Sequence, residues 1–209
     1  KNFKISDGQL QGLVLTTGEE ILAEQAILAI CHSARDTFSE LYADGVKMTA
    51  KPFAVGVRVE HPQEVVNRAQ YKEFAGHPRL GAAEYRLTYK ASNGRGVYTF
   101  CMCPGGLVVA SASEAGHLVT NGMSEHARNQ NNANSGLLVQ VFPEDFGSDH
   151  PLAGIAFQRA LEQKAFELGG STYQAPAQLV GDFLKKQPST AMASVTPSYS
   201  LGVKPTDLS

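Results

Sequence analysis

The chain has 209 residues, 43% hydrophobic and 18% charged, with a formal charge of −2. That length suits one domain, or one and a fraction, with enough chain to bury a core without disulfides or metal. The composition excludes a disordered chain, and the charge balance lends no support to electrostatic binding of nucleic acid. No apolar run approaches the ~20 residues that span a bilayer, and no N-terminal stretch has the order of a signal peptide. The three cysteines, Cys31, Cys101 and Cys103, are odd in number and read as reduced thiols in a cytoplasm. Twenty glycines and no tryptophan imply many tight turns and a β-rich fold.

In chain order, Gly12–Leu15, a turn through Gly18 and Ile21–Ala23 read as a hairpin. Ala26–Ile30 is a continuous apolar run, the pattern of a strand buried on both faces of a parallel sheet. Asp36–Ala43 reads as a helix ended near Gly45, with Ser33 as N-cap and Asp36 three residues on. Phe53–Glu60 alternates, with Phe53, Val55, Val57 and Val59 on one face and Arg58 and Glu60 on the other. Pro62–Gln70 is a short helix with Val65, Val66 and Ala69 expected inward. Tyr85–Lys90, the Asn93-Gly94 turn and Val97–Cys103 form a second hairpin, and Pro104-Gly105 signals a type II turn into Leu107–Ala110.

His117–Thr120 is a further strand candidate, and Asn121-Gly122 reads as a turn. Asn129–Asn134 reads as a polar loop before a strand at Ser135–Phe142. Leu152–Leu168 is a helix stopped by Gly169-Gly170, and Pro176–Lys186 another. From Gln187 on there is no period, and the segment reads as a connection or a surface tail. The whole is an α+β fold, mainly antiparallel sheet with helices packed on one face.

Chemistry is less legible. Cys101 and Cys103 share a face in regular strand geometry, but zinc needs four ligands and the only near completion is Cys31-His32, so no metal site is assigned. Arg58, Glu60 and His61 cluster at a strand end, where an exposed Arg58–Glu60 ion pair is the default and a substrate-anchoring Arg58 the alternative. His32, Ser33, Arg35 and Asp36 lie where the apolar run meets a helix, a place where open α/β sheets bind ligands. Gly105-Gly106 permits close backbone approach to a ligand. No dinucleotide fingerprint, P-loop, zincin or nucleophile-elbow motif is present.

Four long segments resemble a known family. Ala29-Ile30-Cys31-His32-Ser33-Ala34-Arg35-Asp36-Thr37-Phe38 is similar to a signature of the bacterial FAD-dependent dehydrogenases, a largely uncharacterised flavoprotein family. Lys51 to Pro62, Thr99 to Gly106, and Asn121 to Ser124 with Arg128 and Asn134-Ser135 resemble it too. The resemblance implies the middle, substrate or insert region of a larger NAD/FAD-utilising oxidoreductase. Residues 1–38 would then be a hairpin, buried strand and helix start at the edge of a split FAD-binding α/β domain. Residues 39–186 would be the substrate domain, and 187–209 a connection back.

It further implies FAD in the full-length protein, with NAD(P) a further candidate, and flavin hydride transfer that this piece alone would not perform. Ala29, Cys31, His32, Ser33 and Arg35 would face the cofactor; Arg58, His61, Cys103, Gly105 and Gly106 would face substrate. The family usually has glycine where Cys31 stands. No catalytic acid or base is assigned. The partners implied are the FAD-binding domain of the same polypeptide and a small-molecule substrate, with no nucleic acid and no membrane. A non-enzymatic α+β interaction module and a thiol or metal protein are the competing readings.

Overall fold

The computed structural model describes residues 2–192 and 195–209. Two compact units are present: one of residues up to Lys51 together with Pro143–Phe157, the other of Pro52–Phe142 together with Gln158–Ser209.

In the first unit, β1 (Asn2–Ser6), β2 (Gln9–Val14) and β3 (Glu20–Leu22) form an antiparallel sheet in that order. The hairpin expected over Gly12–Ala23 is present as β2 with β3, closed by the Leu15 amide donating to Glu19 O at 2.8 Å, with Gly18 at φ +85°. The preceding strand β1 lacked a sequence signal. The helix α1 (Arg35–Ala43) buries Leu41 and stops as expected, with Gly45 at φ +84°.

Its cap differs from expectation. Ala34 is the N-cap, and the Ser33 hydroxyl instead bonds His32 Nδ1 at 2.7 Å. An adjacent imidazole is a closer partner than an amide two or three residues on, so it takes the hydroxyl. The run Ala26–Ile30 also departs from the reading: it forms no strand, and Ile27 is 96% exposed. A parallel strand needs neighbours for its amides and carbonyls, and the sheet of β1, β2 and β3 does not extend to it.

The second unit centres on a four-stranded antiparallel sheet: β4 (Phe53–Pro62), β9 (Asn132–Val141), β6 (Gly96–Cys103) and β5 (Thr88–Lys90), neighbours in that order. The α+β class is therefore as read. The Asn93-Gly94 turn joins β5 to β6, Gly94 taking φ +83°. Pairing of β6 with β9 breaks between Phe100 and Cys103, where Cys101 takes φ +48°. The bulge ends the simple alternation, so Cys101 is exposed and Cys103 buried rather than side by side on one face.

Helix α2 (Gln63–Tyr71) follows β4 directly. Of the three residues expected inward, only Val66 is buried; Val65 and Ala69 are exposed. Gln63 and Asn67 turn inward instead, because backbone groups await them: Gln63 Nε2 donates to Ala83 O, and the Ala83 amide donates to Asn67 Oδ1, both at 2.9 Å.

A two-stranded ribbon pairs β7 (Gly106–Ala110) with β8 (Thr120–Ser124). Asn121-Gly122 therefore lies inside a strand, not at a turn. Asn132–Asn134, read as loop, begins β9. Helix α3 (Ala153–Leu168) ends at Gly169-Gly170 as expected. Beyond it, Pro176 sits not in a helix but in β10 (Ala175–Ala177), parallel to β11 (Val203–Pro205). The helix α4 (Val180–Lys185) is correspondingly short and leaves Val180, Phe183 and Leu184 exposed. Proline lacks the amide that a helix interior needs, and an edge strand tolerates that loss.

The final segment packs onto this unit. Tyr199 joins Val108, Leu118 and Ala175 in the buried core, and Ser198 Oγ accepts from the Val108 amide at 2.8 Å. On the sheet, Val57, Leu137 and Thr99 pair in one row that continues to Leu87, and the three aliphatic side chains are exposed.

Candidate functional site

The strongest polar cluster gathers around Arg58 in the second unit. On β4, Arg58 lies opposite Gly136 of β9, which has no side chain to block it. The guanidinium thus reaches Asn134, two residues before Gly136: Arg58 Nη1 donates to Asn134 Oδ1 at 2.8 Å. Nη1 also lies 3.5 Å from Cys101 O, and Nη2 donates to Asn121 Oδ1 at 3.2 Å. Four strands, β4, β6, β8 and β9, therefore converge on one cation.

The expected Arg58–Glu60 pair does not form. Glu60 accepts from Asn132 Nδ2 at 2.8 Å and from the Ser198 amide at 3.1 Å, which ties the final segment to the sheet. Among the described residues every acceptor of Arg58 is neutral. Its Nε and the Asn134 Nδ2 are buried without a partner among the described residues. Burial without a counter-charge holds the Arg58 pKa below its usual value.

Tyr85 stands within electrostatic reach of Arg58. Its hydroxyl contacts His61 Nε2 at 2.8 Å, with the two rings 5.6 Å apart. Gln63 Oε1 accepts from the Gly105 amide at 2.7 Å, and Ser124 Oγ donates to Pro104 O at 2.8 Å. These bonds fix the turn between β6 and β7, where Gly105 takes φ +49° as the turn signal requires. A Cβ at Gly105 would run into the Arg128 carbonyl, and one at Gly106 would sit 2.8 Å from Ser124 Oγ. Both glycines therefore serve close packing of backbone and side chain here. At Gly122 a Cβ would collide with Asn134 Oδ1, Arg58 Nη1 and Cys103 Sγ, so the ribbon's glycine makes room for the cluster.

Of the residues expected toward substrate, Arg58, Cys103 and the Gly105-Gly106 turn lie in this cluster, and His61 joins through Tyr85. The residues expected toward cofactor, Ala29, Cys31, His32, Ser33 and Arg35, belong to the first unit. There Ala29, Cys31, His32 and Ser33 are exposed and Arg35 is buried. Cys31 takes φ +60°, a conformation that favours glycine. Sequence reading missed Asn121, Asn134, Tyr85 and Gln63. The available signal was the density of asparagine beside glycine, which reads as turn or loop until a strand register places it.

A surface hollow of about 450 Å³ lies elsewhere, at the β5–β6 hairpin against Thr88, Lys90, Val97 and Tyr98. It is open and collects no convergent polar groups, so the Arg58 cluster is the better candidate. Among the described residues no three His, Cys, Asp or Glu side chains come together as a metal site.

Burial also pushes up the Cys103 thiol, usually near 9.0, and the Tyr85 hydroxyl, usually near 10.0. The folded state then keeps protons that the unfolded chain releases, so stability is full below the unfolded values and falls as pH rises through them. Urea midpoints measured between about pH 8 and 11 are expected to drop, and Tyr85→Phe and Cys103→Ala should each flatten the drop. A wild-type midpoint constant over that range would contradict the burial.

These features define an α+β domain in which a cation is held among neutral hydrogen-bonding groups on an antiparallel sheet. Residues 52–209 match the family described as "FAD-dependent protein, C-terminal domain-like", and the chain belongs to that family. The match begins where the second unit begins, at Pro52. The chain is also similar to an uncharacterized protein of Clostridium beijerinckii, strain ATCC 51743 / NCIMB 8052, at 56% identity over 197 residues. That alignment takes in 94% of this chain and 37% of the relative, so the chain spans little more than a third of the relative's length. No helix among the described residues is long and apolar enough to cross a membrane.

Proposed function

We propose that this chain is the substrate-side region of a cytoplasmic flavin-dependent oxidoreductase, working with an FAD-binding region of the same polypeptide. The observation that carries the reading is the Arg58 cluster inside the part of the chain that matches an FAD-dependent family. A guanidinium oriented by Asn121 and Asn134 is suited to hold a small substrate in place. Tyr85 and His61, hydrogen-bonded to each other, would move or hold a proton beside it. FAD, when bound, supplies the two-electron chemistry.

The first unit offers residues that fit such a cofactor. Ala29, Cys31, His32 and Ser33 form an exposed non-strand segment, and Cys31 already holds the positive φ that glycine takes at a tight backbone approach. With Arg35 at the start of α1, these are the residues that would hold FAD. The run Ala26–Ile30, exposed as far as Ala29, would complete a sheet of the FAD-binding region, and the exposed Val57, Leu87 and Leu137 would be covered by the same polypeptide. FAD alone is proposed as cofactor; neither the family description nor the site supports NAD(P).

The full-length protein, purified from flavin-replete cells, is expected to be yellow and to release FAD on denaturation in near-stoichiometric amount. Reduction should bleach the absorbance band. A colourless preparation that takes up no FAD on reconstitution would overturn the reading.

A further inference from the structure

We propose that Arg58 is the anchor for a monocarboxylate group, received at the outer edge of its guanidinium.

A guanidinium carries five N–H donors and stays charged in proteins. In Arg58 one Nη1 hydrogen goes to Asn134, the other only to the weak 3.5 Å contact with Cys101 O, and one Nη2 hydrogen goes to Asn121. The second Nη2 hydrogen has no partner among the described residues. The Asn121 contact lies at the exposed edge of the cluster, while Nε lies buried behind it. The donors left are one on Nη2 and the weakly held one on Nη1, two N–H groups for the two oxygens of a carboxylate.

The charge inventory selects the ligand. The groups in electrostatic reach of Arg58 are Cys101, Cys103 and Tyr85, and none of them is a carboxylate. Glu60, two residues along the same strand, is committed to Asn132 and Ser198. One cation, already partly desolvated and lacking a counter-charge, calls for one anion. Among the described residues no second lysine or arginine is hydrogen-bonded into the cluster to balance a phosphate dianion, and a planar fork suits a planar carboxylate. Asn121, Asn134 and the missing Cβ of Gly122 hold the guanidinium in this orientation. Arg58 is thus placed by three other strands rather than left to sample solvent, which a surface arginine would do.

Calling this anion the substrate rests on the flavoenzyme reading; the binding itself does not. The test uses full-length protein and its thermal unfolding with sodium acetate, sodium benzoate or benzyl alcohol, at ionic strength matched with sodium chloride. Acetate removes size as a barrier, and benzyl alcohol removes the charge. At least one carboxylate is expected to raise the unfolding temperature saturably, and benzyl alcohol to leave it unchanged. Arg58→Lys should weaken the apparent affinity about tenfold, having lost the fork but kept the charge, and Arg58→Gln should abolish the response. Should Arg58→Gln not fold, Arg58→Lys, which keeps the cation in place, decides the question.

A wild-type protein indifferent to both carboxylates would overturn the proposal. So would a wild-type response retained in Arg58→Lys, or a response to benzyl alcohol equal to that of benzoate. Flavin content read on the same samples separates the two ideas. Bound flavin without a carboxylate response sinks the anchor alone; a carboxylate response in a flavin-free protein sinks the oxidoreductase reading alone.

Discussion

Gly122→Val is expected to destabilise the protein by roughly 3 kcal/mol and to dismantle the Arg58 cluster. Gly122 lies in β8 with extended pairing to Val108, so valine suits its backbone by propensity. The cost comes from space. Even the first carbon of the side chain would strike Asn134 Oδ1, lie 2.5 Å from Arg58 Nη1 and 2.8 Å from Cys103 Sγ. None of these atoms can yield freely, because Asn134 is fully buried and Cys103 is only 6% exposed. A strand that gains a β-branched residue normally gains stability, so loss of stability is a discriminating result. Urea unfolding of the full-length variant checks it, and a change under about 0.5 kcal/mol would mean the close approach is absent.

Asn134→Ala should cost about 3 kcal/mol, because it removes the shortest hydrogen bond to a partly buried charge and leaves that charge only the longer contacts with Asn121 and Cys101 O. Asn134→Asp should cost less, since it retains an acceptor and brings an anion to Arg58. The double change Arg58→Met with Asn134→Leu should cost less than the sum of the two single changes, since no orphaned partner remains. Additive losses in that cycle, measured by urea unfolding, would show that Arg58 and Asn134 are not coupled.

The two predictions turn on residues that sequence reading placed in a turn and a loop. Asn121-Gly122 and Asn129–Asn134 carry strong local turn chemistry, and local chemistry is what a sequence displays. In the fold, β9 extends back through Asn132 because β4 offers a ten-residue partner down to Pro62. Glycine at 122 is then explained by the neighbours of a strand, not by a positive φ. A similar override acts on α2, where Gln63 and Asn67 replace Val65 and Ala69 on the inner face. Amphipathic counting assumes an apolar neighbour, whereas the neighbour here is a loop and a turn with backbone groups to satisfy.

Some parts were legible for equally physical reasons. The strand at Phe53–Glu60, the Asn93-Gly94 turn, Gly105 after Pro104, and the glycine stop of α3 depend on near neighbours in the chain, and each is found as read, though burial does not alternate along the strand and Val57 is exposed. Arg58 could be singled out because it stands in a β-alternating segment close to a histidine. Its role could not, since the choice between Glu60 and Asn134 as partner is made between strands 76 residues apart.

By itself the sequence determined the α+β class, two hairpins and the helices α1, α2 and α3, the three unpaired thiols and a family resemblance, all properties of local pattern or of long contiguous motifs. Only the tertiary structure decided that Ala26–Ile30 forms no strand, exposed from Ala26 to Ala29, and that Cys101 and Cys103 part at a bulge. It also decided that one arginine is enclosed by amides instead of carboxylates. Strand register brings distant residues to within bonding distance, and burial then sets which of them must be satisfied; neither can be counted along the chain.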